Sequence, residues 1–309
     1  MTEAEATRPH EPVMVTEVVE LLAGREVIVD MTVGAAGHTI ALLEAGVTRV
    51  VGIDRDPQAL ALAGERLAGF GERVRLVPSR FAQVDVGTVG APVDGVLYDL
   101  GVSSMQLDRR ERGFSYAYDA PLDMRMDPEL DVTAADLVNT LPEDELVDIF
   151  RRYGEERYAK GIARGIVQTR KKQPFSSTCE LVEVIKRNIP TPARFGAGNP
   201  ARRVFQALRI VVNDELQSLA RGLDEAYRAL RPGGRLAAMS FHSLEDRMVK
   251  EFFKGHAAGC ICPPGLPLCV CGHEPTLRVL TRRPVTPRAR ETEVNPRSKS
   301  AKLRVAVKL

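Results

Sequence analysis

Three acidic residues, Asp30, Asp54 and Asp99, each end a short apolar run within the first hundred positions of the chain. Glycines at both ends of the segment 34–37 follow the first run, and glycine lets a backbone turn approach a ligand closely. Asp54 comes seventeen positions after Gly37, about the distance at which an acid accepts both hydroxyls of a ribose in a nucleoside-binding unit. The pattern indicates a nucleoside site, although the turn alone also fits a tight connection without a ligand.

The glycine turn does not have the G-x-G-x-x-G form that seats a pyrophosphate on a helix N-terminus. A ligand without phosphates, such as S-adenosylmethionine, therefore fits better than a dinucleotide. A nicotinamide-dependent oxidoreductase stays open as an alternative, because the turn and Asp54 would tolerate it. The missing third glycine and the segment after Asp99 argue against it.

Asp99 ends the fourth apolar run, where a side chain would lie beside the cofactor and its sulfonium methyl group. A carboxylate there could accept hydrogen bonds from an exocyclic amine, such as that of cytosine, and so favour its attack on the methyl group. Methylation at carbon C5 would need a cysteine nucleophile, and neither 93–106 nor 235–247 contains one. The alternative for Asp99 is a helix cap or a salt-bridged acid.

Alternating strand and helix patterns precede Asp99, which predicts a parallel sheet covered by helices on both faces. Asp56 and Pro57 supply an N-cap and a first-turn proline for a helix that runs to about Leu67. The predicted strands are Glu26–Asp30, Arg49–Asp54, Val74–Val77 and Val93–Asp99, and a helix is predicted over His38–Ala45.

Helical patterns with basic and polar faces run from about Thr133 to Asn188 without a strand signal, which predicts an inserted helical unit. A long helix over Ala201–Leu230, a stop signal at 231–234 and a strand over Arg235–Phe241 then return the chain to the sheet. Alternating residues predict a last strand within Ser300–Leu309. The expected organisation is a discontinuous core, 1–104 and 206–309, with an insert, 105–205.

The net charge of +2 argues neither for nor against a polyanionic partner, but the charge is unevenly distributed. The segment 282–309 carries nine Lys or Arg against two Glu, and 151–172 carries eight against two. Such runs suit RNA and also suit solvated surfaces. No apolar run is long enough to span a bilayer and the N-terminus lacks the order of a signal peptide, so a cytoplasmic protein is expected.

Four of the five cysteines, Cys260, Cys262, Cys269 and Cys271, form two C-x-C pairs around a Pro-Gly loop. Four thiols so close could bind zinc, but C-x-C differs from the usual C-x-x-C spacing of zinc knuckles. A stabilising loop without metal is the other interpretation, and the sequence assigns no metal a part in catalysis.

Long motifs over nearly the whole chain, from His10 to Leu303, resemble the RsmH (MraW) family of bacterial ribosomal RNA methyltransferases. The matching segments are Asp30–His38, Asp54–Pro57, Asp99–Ser104, Arg112–Tyr116, Pro121–Asp127, Arg203–Arg209, Asn213–Leu216, Phe241–Arg247, Asn295–Arg297 and Ser300–Arg304. The resemblance implies an α/β fold, a Rossmann-like class I S-adenosylmethionine methyltransferase sheet with an inserted helical substrate-recognition subdomain.

The resemblance further implies N4-methylation of a cytidine in the decoding centre (P site) of 16S ribosomal RNA, with the small ribosomal subunit as partner and S-adenosylmethionine as methyl donor. Asp99 is implied as the catalytic residue. The implied cofactor pocket consists of Ala36, Gly37, His38, Asp54, Phe81, Asp99 and Gln106, with Phe81 against the adenine. Arg202, Arg203 and His242 are candidates for RNA contact, against the alternatives of solvated arginines and a structural histidine.

Amino-methylating enzymes that act on DNA commonly have an aromatic residue after the acid at this strand end, whereas Leu100, Gly101 and Val102 follow Asp99 here. Stacking of the target base is therefore assigned to another aromatic, and the hypotheses are Phe114, Tyr116 and Phe241. Two matters stay open: a homodimer, and a non-catalytic ribosome assembly factor that keeps a methyltransferase fold.

Overall fold

The computed structural model describes residues 12–85, 89–90, 92–102, 110–194, 199–260, 262, 268 and 270–309. The chain forms two compact units, one built from 1–101 and 217–309 and the other from 102–216. The sequence predicts the second boundary after 205, and the structure divides the chain after 216 instead.

The first unit is built on one mixed seven-stranded sheet. Its strands are β1 (Val27–Asp30), β2 (Arg49–Asp54), β3 (Val74–Pro78), β4 (Val93–Asp99), β5 (Leu230–Ser240), β6 (Leu277–Val279) and β7 (Lys302–Lys308). The order across the sheet is β3-β2-β1-β4-β5-β7-β6. Strands β1 to β5 are paired parallel to one another, and β7 is antiparallel to both β5 and β6.

The four predicted strands of the first half are confirmed to within a residue at each end, because buried parallel strands have continuous apolar runs. Successive side chains of each strand enter opposite layers: Val29 and Tyr98 join one apolar cluster, and Ile28 and Leu97 join the other. The Tyr98 hydroxyl donates a hydrogen bond to the Gly222 carbonyl oxygen at 2.7 Å, which satisfies the buried phenol.

In the described part of the chain, six helices flank the sheet of the first unit: α1 (Val15–Leu22), α2 (Gly37–Glu44), α3 (Pro57–Leu67), α10 (Glu215–Ala229), α11 (Ser243–His256) and α12 (Ala289–Val294). The predicted cap of α3 is confirmed, since the Asp56 carboxylate accepts the Gln58 backbone N–H and Pro57 is the first helical residue. None of the helices formed by the described residues is long and apolar enough to cross a membrane.

The second unit consists of α4 (Ala134–Thr140), α5 (Glu143–Arg152), α6 (Ala159–Arg170), α7 (Thr178–Arg187), α8 (Thr191–Arg194) and α9 (Ala201–Val212) around its own apolar core. The predicted single helix over Ala201–Leu230 is wrong: it breaks at Asn213–Asp214, where Asp214 has a positive φ of 49°. The Asn213 side chain holds the break, because it accepts the Met126 N–H at 2.7 Å and donates to the Met124 carbonyl at 2.8 Å.

The structure differs from the sequence-based prediction at two further places, strands β5 and β6. The predicted stop signal at 231–234 lies inside β5, where the pairing with β4 shifts register between Val93 and Gly95. A register shift accommodates Pro232 and the positive φ of Gly233 within a strand. The three-residue β6 carries no alternation signal and was outside the prediction, whereas the predicted last strand is confirmed as β7.

Candidate functional site

Three carboxylates lie at the carboxyl ends of adjacent parallel strands. Asp30 ends β1, Asp54 ends β2 and Asp99 ends β4. Strand β1 is paired with β2 on one side and β4 on the other, so the three acids share one edge of the sheet. In open parallel sheets this edge forms the ligand crevice.

The Asp54 carboxylate organises the turn after β1. One of its oxygens accepts the Gly34 N–H at 2.9 Å, and the other accepts the Asp56 N–H at 2.9 Å. Burial raises the pKa of the Asp54 carboxyl, and these two N–H donors oppose that rise. Each oxygen has a second lone pair, so the group keeps the capacity to accept two hydroxyl donors from a ligand.

The Asp99 carboxylate has a different environment. Its Oδ1 is buried and has no hydrogen-bond partner among the residues described, a set that leaves out 103–109. Removal from water raises its pKa to about 6, an effect that nearby His38 opposes and that Asp30 and Glu245 increase. A buried acceptor without a partner is costly, and a ligand that donates a hydrogen bond would satisfy it.

His38, the second residue of α2, lies beside Asp99 with its Nδ1 at 3.6 Å from Asp99 Oδ2. Its Nε2 lies 2.8 Å from the Val13 carbonyl oxygen, which can only accept a hydrogen bond. Nε2 therefore carries a proton, and in the neutral ring Nδ1 is left as an acceptor. The geometry places this nitrogen beside the Asp99 carboxylate.

Two threonines fix the strand ends around this pair. Thr39 donates its hydroxyl proton to Asp30 Oδ2 at 2.7 Å, and the Thr32 hydroxyl accepts the Asp99 backbone N–H at 2.7 Å. Burial raises the pKa of Asp30, with the Thr39 hydrogen bond opposing. Thr32 and Thr39 were not selected from the sequence, because a threonine near a strand end carries no signal until its long-range partner is known.

The turn residues Ala36 and Gly37 have backbone requirements of their own. Ala36 is the N-cap of α2 with a positive φ of 63°, which is strained for a residue with a side chain. A Cβ at Gly37 would lie 2.6 Å from Cγ of Pro12, so only glycine fits there. Packing against Pro12 explains this glycine without a ligand, and its contact with a cofactor stays a prediction.

Phe81 begins a short 3₁₀ turn just after β3 and is half-buried. Its ring meets Tyr98 edge-on, with centroids 5.5 Å apart and planes at 85°. Gly222 permits this packing, since a Cβ there would lie 2.8 Å from a Phe81 ring carbon. The ring is thus held in place by the core, and the predicted contact with adenine remains a prediction.

His242 has a structural role in the described residues. It is the N-cap of α11, its Nδ1 accepts the Glu245 N–H at 3.3 Å, and Glu245 returns the bond to the N–H groups of Phe241 and His242. This reciprocal capping box gives His242 a structural role, and its predicted contact with RNA stays a prediction. The next residue of the motif, Asp246, binds Arg304 of β7 at 2.7 Å and ties α11 to the sheet.

The arginines of α9 divide into two kinds. Arg202 and Arg203 are exposed, and Arg203 donates to the Glu155 carbonyl oxygen at 3.2 Å. Arg209, one of the last residues of the same helix, instead forms a bidentate ion pair with Glu215 at 2.8 and 2.9 Å. The RNA contacts predicted for Arg202 and Arg203 stay predictions.

The remaining candidates are aromatic residues and one amide. Phe114 is buried in the helical unit, and Tyr116 packs edge-on against Phe205 at 5.7 Å, so both belong to that unit's core. Phe241 is half-buried against Gly101. Gln106 lies outside the described residues.

Comparisons with known proteins cover almost the full chain. A family model described as the MraW methylase family matches residues 7–309. A ribosomal RNA small subunit methyltransferase H from Heliobacterium modesticaldum is 52% identical, with 97% of this chain and 98% of the relative covered. The protein of the same name from Geobacter sulfurreducens is 54% identical, with coverages of 98% and 100%.

Among solved structures, an rRNA methylase from Streptococcus thermophilus aligns over 96% of this chain and 93% of its own, with 13% identity and a TM-score of 0.42. The match of the family model and the identities above confirm the predicted family, the α/β methyltransferase fold class and S-adenosylmethionine as cofactor. This chain belongs to the MraW methylase family of S-adenosylmethionine-dependent methyltransferases.

Proposed function

We propose that this protein transfers a methyl group from S-adenosylmethionine to the N4 amine of a cytidine in the decoding centre (P site) of 16S ribosomal RNA. Its relatives at 52% and 54% identity carry the name of ribosomal RNA small subunit methyltransferases, which supports the RNA and the subunit. The observation that carries the choice of an amine is the Asp99 carboxylate, with its buried Oδ1 unpartnered among the described residues.

The residues present fit the cofactor. Asp54 has two lone pairs left beyond its backbone hydrogen bonds, which suits the two hydroxyls of a ribose. The side of Phe81 that Tyr98 does not contact offers an aromatic surface for an adenine. The proposed pocket comprises Ala36, Gly37, His38, Asp54, Phe81 and Asp99, together with Gln106, which lies outside the described residues.

S-adenosylmethionine supplies, when bound, an electrophilic methyl group on a positively charged sulfur. Asp99 is proposed to accept a hydrogen bond from the N4 amino group of cytosine. The lone pair of that amine is delocalised into the ring, and a carboxylate that accepts one N–H favours a pyramidal nitrogen with its lone pair available. The same contact orients the nitrogen toward the methyl group.

His38 is proposed as a positioning residue for Asp99. Its Nε2 proton is committed to the Val13 carbonyl, so Nδ1 faces the carboxylate and limits the rotation of that carboxylate. Once the methylated amine carries an extra proton, Asp99, with a pKa raised to about 6, can take the proton more readily than an ordinary carboxylate. A raised pKa brings the base closer to the working pH.

Nitrogen is favoured over carbon C5 because a C5 enzyme adds a cysteine to the ring. The described cysteines are Cys179, Cys260, Cys262 and Cys271, and none lies in the strands or turns that carry the three acids. Of the three acids at this edge, Asp99 is the one with a buried oxygen that has no partner among the described residues.

The test is methyl transfer in vitro. Small ribosomal subunits from a bacterial strain that lacks the corresponding enzyme are incubated with this protein and isotope-labelled S-adenosylmethionine, and the RNA is digested to nucleosides for mass spectrometry. We expect label in N4-methylcytidine, mapped by nuclease fragments to one decoding-centre cytidine. Free 16S RNA and large subunits serve as substrate controls.

Label in 5-methylcytidine, in a ribose methyl group or in large-subunit RNA would contradict the proposal. Binding of S-adenosylmethionine without transfer to any RNA would favour the alternative of an assembly factor. Binding of a nicotinamide dinucleotide in place of S-adenosylmethionine would contradict the family's chemistry as well as the proposed substrate.

A further inference from the structure

Three cysteine side chains converge in the segment between α11 and β6. The Sγ atoms of Cys260, Cys262 and Cys271 all lie within 4.8 Å of one another, and none of the three residues is in a disulfide. Cys271 Sγ lies 3.8 Å from Cys260 Sγ. From this convergence we propose a structural zinc site that joins the two arms of the segment.

The spacing of the sulfurs fits a tetrahedral metal. Thiolates bind Zn²⁺ at about 2.3 Å, and two corners of a tetrahedron of that radius lie about 3.8 Å apart. The measured separation of Cys260 and Cys271 equals that edge length. A disulfide would instead bring two sulfurs to about 2.05 Å, so the present arrangement suits a shared ion better than a bond between the sulfurs.

The segment needs a cross-link because it buries little apolar surface. Leu268 and Val270 are 76% and 78% exposed, and Cys260 is exposed as well. The described residues between His256 and Leu277 form neither helix nor strand. A segment with little burial and no regular secondary structure in its described residues gains order mainly from a covalent or metal link, and a structural zinc supplies its binding energy as folding energy.

The donor set selects the metal and leaves a fourth position. Three thiolates favour Zn²⁺ over the hard cations Mg²⁺ and Ca²⁺, which prefer oxygen. Cys269 lies outside the described residues. The three thiols lie between α11 and β6, away from the three acids at the strand ends, so this proposal does not rest on the proposed methyl transfer.

The first test measures metal in the full-length protein purified without chelators from zinc-supplemented cells. We expect about one zinc ion per chain by mass spectrometry of the elements, since a structural site holds a single ion. After removal of the metal under reducing conditions, Co²⁺ should restore it with a near-ultraviolet thiolate-to-cobalt charge-transfer band and visible bands of tetrahedral intensity. Added Zn²⁺ should abolish both.

The variants Cys260→Ser and Cys271→Ser should lose most of the zinc and of the charge-transfer band. Cys179→Ser is the matched control, because Cys179 is an exposed thiol of the other unit and should leave both unchanged. Limited proteolysis adds a structural readout, with cleavage between His256 and Leu277 expected to be faster in the metal-free protein. Because the cobalt spectrum is recorded on the unmodified chain, the test stands even where a variant folds poorly.

Wild-type protein with no bound zinc and no cobalt charge-transfer band would overturn the proposal. So would equal zinc loss in Cys179→Ser. Thiol titration of the denatured, chelator-treated protein gives a third check: the site predicts all five cysteines as thiols, and two fewer would mean that a disulfide joins the arms instead.

Discussion

Strands β2 and β4 both end in an aspartate, but the two carboxylates differ in their hydrogen bonding. Asp54 already accepts two backbone N–H groups and so shapes the turn around it, whereas the buried Oδ1 of Asp99 lacks a partner among the described residues. A carboxylate that is partly occupied by the backbone suits binding in the ground state. A carboxylate that is buried and has few hydrogen-bond donors around it, like that of Asp99, suits a group that interacts more strongly with the substrate in the transition state than in the ground state.

The largest effect is expected from Asp99→Asn. The amide keeps the shape of the side chain but can present a donor where an acceptor is needed, so methyl transfer should fall by about two to four orders of magnitude. Cofactor affinity should change little. Single-turnover transfer to small subunits and calorimetry with S-adenosylmethionine measure the two quantities, and equal losses in both would reduce Asp99 to a pocket residue.

Asp54→Ala should reverse that pattern. Loss of two hydrogen bonds from ribose hydroxyls to a charged acceptor should weaken cofactor binding by about ten- to a hundredfold, with the transfer rate at saturating cofactor much less affected. Asp54→Asn is the matched variant, since it retains one acceptor and should lose less. An unchanged dissociation constant for S-adenosylmethionine in Asp54→Ala would show that Asp54 does not bind the ribose.

The raised pKa of Asp99 also predicts how methyl transfer depends on pH. Because the pKa of Asp99 is raised to about 6, its carboxylate is protonated below that pH and becomes a much weaker acceptor for an amine and no longer a base. We expect kcat/KM of the wild-type protein to fall about tenfold per pH unit below about 6. The residual activity of Asp99→Asn should not show this fall, and a wild-type profile flat through this range would argue against an acceptor role.

The smallest effect concerns stability. A folded-state pKa raised from 3.8 to about 6 means that the contribution of Asp99 to the free energy of unfolding declines as pH rises from about 4 to 6. Asp99→Asn removes the buried charge and should stabilise the protein at neutral pH by about 1–2 kcal/mol, as measured by urea unfolding. Asp54→Asn should not stabilise it, because it weakens a backbone anchor. Equal shifts would contradict the contrast between the two acids.

The sheet core and the positions of the acids could be predicted because they depend on local signals. β2 and β4 match the predicted bounds, and Asp56 caps α3 as expected, since apolar runs and cap residues are adjacent in sequence. The break at Asn213 could not be predicted, because its side chain is satisfied by the backbone of Met124 and Met126, almost ninety positions earlier.

The residue types of the candidate site could be predicted from the sequence, but the surroundings of each side chain mostly could not. Asp99 was selected by its place after a strand, but its raised pKa depends on burial and on the charges of His38, Asp30 and Glu245, which lie far from it in sequence. Motif resemblance also does not distinguish a ligand contact from a structural contact. His242 belongs to a matching motif, and in the fold it caps a helix.

The antiparallel strand β7 has a consequence for the order of folding. Residues 302–308 lie between β5 and β6 and cover the edge of β5 along Arg235–Ser240. During synthesis that edge stays open until more than sixty further residues have been made, and open strand edges invite pairing with other chains. The nascent chain therefore spends an interval with an incomplete sheet, in which the edge of β5 along Arg235–Ser240 has no partner strand.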